Sequence, residues 1–143
     1  MLAPSGSEPC SSLRILLAED SVIDQIIARE ILEQLGCRAD LAEDGTEVLE
    51  ALQRQDYDVV LMDTHMPQMD VITTAREIGR RLPAGRRPWL VAMAADTGEA
   101  DRRSYLANGM DDYLGKPIKS AELAAALERA RAALRSAPPA GPG

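Results

Sequence analysis

Short apolar runs alternate along this chain with longer stretches of helical period. "LRILLA" (13–18) ends in Glu19 and Asp20. Ser21 then stands as an N-cap for a helix that carries Ile23, Ile27, Ile31 and Leu35 on one face and ends at Gly36. "CRADLA" (37–42) predicts a second strand, and "DGTEVLEALQRQ" (44–55) a helix with Val48, Leu49 and Leu52 on one side. "DVVLM" (58–62), apolar and partly β-branched, predicts a buried strand closed by Asp63. A third helix is expected over about 70–82, although Thr73, Thr74 and Gly79 are poor helix formers. "PWLVAMA" (88–94) predicts a fourth strand, "EADRRSYLAN" (99–108) a polar helix capped by Gly109, and "DYLG" (112–115) a fifth strand. Ser120 is expected to N-cap a last helix with Glu122 in its first turn and Leu123, Leu127 and Leu134 inward.

Five strands alternating with five helices spell βα units and a parallel sheet. The fold class is α/β, a doubly wound five-stranded parallel sheet in the flavodoxin-like order 2-1-3-4-5. Both ends, residues 1–12 and 136–143, are rich in Pro, Gly, Ser and Ala and predict flexible tails or linkers around one domain, 13–135.

The composition narrows the chemistry. A length of 143 residues with 45% hydrophobic content fits one core, and a net charge of −7 argues against direct nucleic-acid or anionic-membrane binding. Cys10, Cys37 and the single histidine, His65, share no metal-ligand spacing, so a zinc site is not expected. Two scattered thiols fit a reducing compartment. No apolar stretch approaches the roughly 18 residues of a membrane span, no signal peptide is visible, and a cytoplasmic location is expected.

In a parallel sheet the strands' C-terminal ends share one edge, where a ligand site forms at the reversal of strand order. Glu19 and Asp20 end the first strand, Asp63 the third, Ala94 the fourth, and Lys116 follows the fifth. In the order 2-1-3-4-5 the first and third strands are neighbours, so three carboxylates converge. They stay ionised together only around a cation, and oxygen ligands with room for water suit Mg²⁺. Lys116 adds a positive charge beside Asp63, where a phosphoryl group would need it. An aspartate attacks phosphorus to give an aspartyl phosphate when such charges screen the transferred group. Asp63 alone reads as a turn cap, and Lys116 alone as a solvated lysine. Their convergence makes chemistry the stronger reading.

The stretches "LLAEDS", "YDVVLMDTHMPQMD" and "GMDDYLGKPI" resemble the receiver domain of bacterial two-component response regulators, over about residues 13–135. Receivers fused to hybrid histidine kinases are nearest in flavour. The resemblance implies that Asp63 is the phosphoacceptor. Asp20, Asp63 and the backbone carbonyl of His65 would then hold Mg²⁺, with Glu19 acting through a water. It also implies that Lys116 contacts the phosphoryl group, that Ala95 offers a backbone contact, and that the Lys116–Pro117 bond is cis. The implied partners are a histidine kinase or histidine phosphotransfer protein and a downstream protein. On this reading the chain is a phosphoacceptor that catalyses only its own phosphorylation and dephosphorylation, not a turnover enzyme.

Two positions depart from that pattern. Receivers usually end the fourth strand in Thr or Ser, and Ala94 stands there; a hydrogen bond to a charged partner contributes about 1.5–3 kcal/mol, so its loss weakens coupling roughly 10- to 100-fold. Thr97 replaces that hydroxyl only with a redrawn loop. Val71 occupies a usual glycine position, which predicts a differently shaped loop after Asp63. Phosphorylation with atypical switching is the expectation.

His65 reads either as a backbone ligand and tuner of hydrolysis or as an ordinary loop histidine. It pairs in the family pattern with the position of Asp96, which bears on phosphate lifetime. Tyr113 reads either as the family's aromatic switch or as a packing residue, and Trp89, Met62, Met66 and Met93 as filler. Two rivals stand: a phosphorylation-independent docking module, and a haloacid dehalogenase-type phosphatase. The second wants an acid two residues past the nucleophile, where this chain has His65.

Overall fold

The computed structural model describes residues 13–65, 71–95 and 99–136. Its strands are β1 (Ile15–Ala18), β2 (Ala39–Ala42), β3 (Val59–Asp63), β4 (Trp89–Ala94) and β5 (Asp112–Gly115). They pair in parallel in the order β2-β1-β3-β4-β5, the expected fold. Its helices are α1 (Val22–Gln34), α2 (Gly45–Arg54), α3 (Val71–Arg81), α4 (Glu99–Ala107) and α5 (Ser120–Ser136). A 3-10 turn at Ala84–Arg86, which the sequence pattern did not predict, joins α3 to β4.

The two-residue alternation of the strands sorts the core into two layers. Leu16, Ala18, Val60, Met62, Leu90 and Ala92 face α2 and α3 residues such as Val48, Leu52, Val71 and Ile78. Ile15, Leu17, Val59, Leu61, Val91 and Met93 face Ala28 and Leu32 of α1 and Leu123, Ala126, Leu127 and Ala130 of α5. With helices on both faces every central strand is buried, which is why β1 and β3 are continuous apolar runs rather than alternating ones.

Most elements end within two residues of expectation. β1 starts at Ile15 because the Arg14 carbonyl is taken by the Asp58 and Val59 N–H groups and the Arg14 N–H donates to the Asp58 carboxylate. β2 starts at Ala39, since Cys37 N–H still donates to Leu32 O at 2.8 Å as the end of α1. Gly36, with φ 83°, makes that turn, as Gly109 does at φ 106° after α4. Ser120 is the first residue of α5 rather than its cap: the Lys119 carbonyl accepts the Leu123 N–H at 2.9 Å, so Lys119 holds the cap position. Leu134 is only partly buried, although Leu123 and Leu127 point inward as expected. Trp89 is partly buried against the α1/α5 layer.

Two expectations are corrected. Ile23 and Ile27 are exposed with Val22 and Ile26, whereas Ile31 and Leu35 of the same expected face pack against the core beside Ala28 and Leu32. Apolar residues run most of the way round α1, so periodicity did not select the inner face, and small Ala28 lies close against the strands. Cys37 is not a free thiol but disulfide-bonded. The cysteines therefore lend no support to a reducing compartment; Cys10, the chain's other cysteine, lies outside the described residues.

Met66, Asp70, Asp96 and Thr97, the tail over 1–12 and the second tail beyond Ser136 also lie outside them. Among the described residues no helix is long and apolar enough to cross a membrane.

Candidate functional site

Strand register places the chemistry. Ala18 of β1 pairs with Met62 of β3, so Glu19 and Asp63 are the next residues on neighbouring strands. Ala94 of β4 pairs with Gly115 of β5, and Lys116 N–H donates to Ala94 O at 2.8 Å, which brings Lys116 to the same edge. The Lys116–Pro117 bond is cis.

Glu19 is held from every side. Its N–H donates to Ala42 O at 3.0 Å, its carbonyl accepts from the Gln25 amide at 2.7 Å, and its Oε2 accepts from Ser21 N–H at 3.3 Å. Ser21 is the N-cap of α1, as expected, and its Oγ accepts from Asp24 N–H. Cap and carboxylate thus lock the first turn of α1 over the end of β1.

Lys116 Nζ then donates to Glu19 Oε1 at 2.9 Å, Asp63 Oδ1 at 3.0 Å and Asp24 Oδ2 at 3.1 Å. Asp63 Oδ1 also accepts from His65 N–H at 3.2 Å. Asp20 is exposed, but it, Glu19 and Asp63 each bring a carboxylate oxygen to within 4.8 Å of the others.

Burial and partners set the charges. Burial raises the pKa of Glu19, and its contact with Asp63 raises it further, to about 7 despite Lys116. Burial pushes Asp63 up too, but hydrogen bonds with Glu19, Lys116 and the His65 N–H outweigh it and hold the carboxyl below its usual range. For Lys116 burial opposes the charge, and Glu19, Asp63 and Asp24 together overcome it, so the ammonium is held well above the ordinary lysine range. The result is a buried, ionised aspartate beside a permanent cation. The oxygen-only donor set fits a hard cation such as Mg²⁺.

Ala94 is buried at the end of β4 with no hydroxyl to offer, and Ala95 beside it is exposed. His65 is exposed, its ring Nδ1 3.5 Å from Thr64 Oγ1. Tyr113 stacks on Tyr105 of α4, ring centroids 5.8 Å apart. Val71 is the buried first residue of α3 and takes helical geometry there. Asp24 was missed by sequence reasoning, although its place in the first turn of α1, four residues after Asp20, was a signal.

A response regulator receiver domain family model matches residues 15–128. The chain belongs to the receiver-domain family. Among its relatives, the aerobic respiration control sensor protein ArcB of Escherichia coli is 38% identical over 121 residues, 85% of this chain but 15% of ArcB. The sensor protein GacS of Pseudomonas syringae is 33% identical over 78% of this chain and 12% of its own length. The receiver thus spans a small fraction of the hybrid sensor proteins it matches. Among solved structures, the receiver domain of the sensor histidine kinase PA1611 from Pseudomonas aeruginosa, with a magnesium ion coordinated in its active-site cleft, is 38% identical. Its TM-score is 0.71, with 84% of this chain and 98% of that one covered. The receiver domain of the yeast response regulator Ssk1, crystallised with the phosphotransfer protein Ypd1, matches at 25% identity and TM-score 0.75, over 85% and 90% of the two chains.

Proposed function

We propose that this two-component receiver accepts a phosphoryl group on Asp63 from the phosphohistidine of a histidine kinase or phosphotransfer protein. The observation that carries the reading is the buried Asp63 carboxylate, 3.0 Å from Lys116 Nζ and grouped with the Glu19 and Asp20 carboxylates. An Asp63 oxygen attacks phosphorus as the P–N bond to the donor imidazole breaks, and Lys116 lies where charge on the phosphoryl oxygens must be met. Asp20 and Asp63 would hold Mg²⁺ with the His65 carbonyl, Glu19 acting through a water, and the bound ion would screen the charge building on those oxygens. Burial of Asp63 shields the carboxyl carbon of the resulting acyl phosphate from bulk water.

The donor surface is suggested by α1. Val22, Ile23, Ile26 and Ile27 are exposed in its first two turns, in the helix that begins three residues after Glu19. An apolar patch there fits a partner helix carrying the phosphohistidine.

Output is read as atypical. Without a hydroxyl at Ala94, phosphate lacks one grip on the end of β4, and the Tyr105–Tyr113 stack holds Tyr113 without it. The same two features favour the second reading, a docking module that works without phosphate. Intact mass after incubation with acetyl phosphate, with and without Mg²⁺, separates the two. One added phosphoryl group that needs Mg²⁺ and is lost in Asp63→Asn is expected. No adduct under rapid sampling, also with a phosphohistidine donor, would favour the docking module.

A further inference from the structure

An ammonium group has three N–H donors. At Lys116 all three are engaged, by Glu19 at 2.9 Å, Asp63 at 3.0 Å and Asp24 at 3.1 Å. A phosphoryl group on Asp63 brings new oxygens to this ammonium, and no donor is spare. One of the three present contacts must give way.

Exposure decides which. The Glu19 and Asp63 side chains are 2% and 4% exposed, whereas Asp24 is 41% exposed. A buried carboxylate that loses its cation is stranded away from water, at a cost that an exposed one does not meet, because water replaces the ammonium. Glu19 is further fixed by Ser21 N–H on its other oxygen. Asp24 meets the helix cap through its backbone N–H, donated to Ser21 Oγ, and not through its carboxylate, so its side chain swings out without disturbing the cap.

We propose that Asp24 is the exchangeable partner of Lys116: a positioning residue that holds the ammonium in the unphosphorylated site and yields its donor to the phosphoryl group. The inference rests on Asp63 as phosphoacceptor and adds to it a built-in competitor. Asp24 biases the site toward the unphosphorylated state, and its negative charge at the mouth of the pocket does so again for any anionic donor.

The test is calorimetric titration of beryllofluoride, a phosphoryl mimic, in Mg²⁺, into the native chain, Asp24→Ala, Asp24→Asn, Asp24→Glu and Asp63→Asn at low and high salt, with melting curves to check folding. Asp24→Ala and Asp24→Asn are expected to bind about three- to tenfold more tightly than native, with Asp24→Glu close to native. The gain should persist at high salt, since competition for a donor at contact distance is little screened, whereas a general charge effect fades. Unchanged affinity means that Glu19, or the capped Asp63 itself, yields the donor instead, and it overturns the proposal, as does weaker binding or a gain that disappears in salt. Failure of the native chain to bind, or equal binding by Asp63→Asn, would instead overturn the phosphoacceptor reading, and this inference with it.

Discussion

Ion pairs of almost the same length occupy two very different settings in this molecule. On the surface, Glu77 meets Arg80 at 2.8 Å and Arg81 at 3.1 Å along α3, and Arg86 meets Asp56 at 2.7 Å. At the C-terminal edge of the sheet, Lys116 meets Glu19 and Asp63 at 2.9 and 3.0 Å, but with side chains almost wholly removed from water. Geometry therefore does not distinguish them; solvent does. Surface pairs exchange one set of hydrogen bonds for another and gain little. The buried set has lost its hydration, so each member depends on the others, and removing one leaves the rest uncompensated. Such a cluster is a poor way to stabilise a fold and a good way to hold an ionised aspartate ready for an electrophile.

The sharpest break in the comparison is Lys116→Met. It strands two buried carboxylates and is expected to cost about 3–5 kcal/mol at neutral pH in urea unfolding without divalent cation. A loss below about 1 kcal/mol would mean that the cluster behaves like the surface pairs. Next in size is Mg²⁺ itself: at a tenfold excess over its dissociation constant it should stabilise the native chain by about 1.4 kcal/mol. Asp20→Asn should lose most of that gain. Thermal melts with Mg²⁺ and with a matched monovalent salt separate ion binding from ionic strength.

The apolar runs made the strands and their shared edge legible, and the order 2-1-3-4-5 is that of the flavodoxin-like pattern. "DVVLM" and "PWLVAMA" read as buried strands, and Asp63 and Ala94 end them at that edge. Two things stayed hidden. The inner face of α1 did, because apolar residues nearly encircle it and only packing against the strands picks out Ala28 and Leu32. Asp24 did too, since its role depends on a lysine 92 residues away in sequence. Ser120 shows a smaller limit: a good capping residue placed one position into the helix, where the Lys119 carbonyl already makes the first bond.

Tyr57 lies between the extremes, buried, with its hydroxyl donating to Asp40 on β2. Burial, and then the Asp40 carboxylate, push its pKa up to about 12. A raised pKa in the folded state means that its contribution is fully present below the unfolded value near 10 and is lost as pH rises through about 12. Tyr57→Phe is expected to cost about 0.5–1.5 kcal/mol at pH 7. That difference from native should shrink between about pH 10 and 12 as the native phenol ionises. Parallel urea titrations of the two chains read this directly, and a difference that stays flat across that window would show that the hydroxyl gains nothing from Asp40.

The smallest effect is expected at the surface pair. Arg86→Ala removes two N–H donors from Asp56 Oδ1, at 3.0 and 2.7 Å, a geometry at least as good as that around Lys116. Both side chains are about half exposed, so water takes over the released carboxylate and salt already screens the pair. A stability change within about 1 kcal/mol, shrinking further in high salt, is the expected result. A larger, salt-insensitive loss would mean that Arg86 acts by packing its stem, as part of the 3-10 turn before β4, rather than by its charge, and the contrast with Lys116 would then rest on shape as well as on solvent.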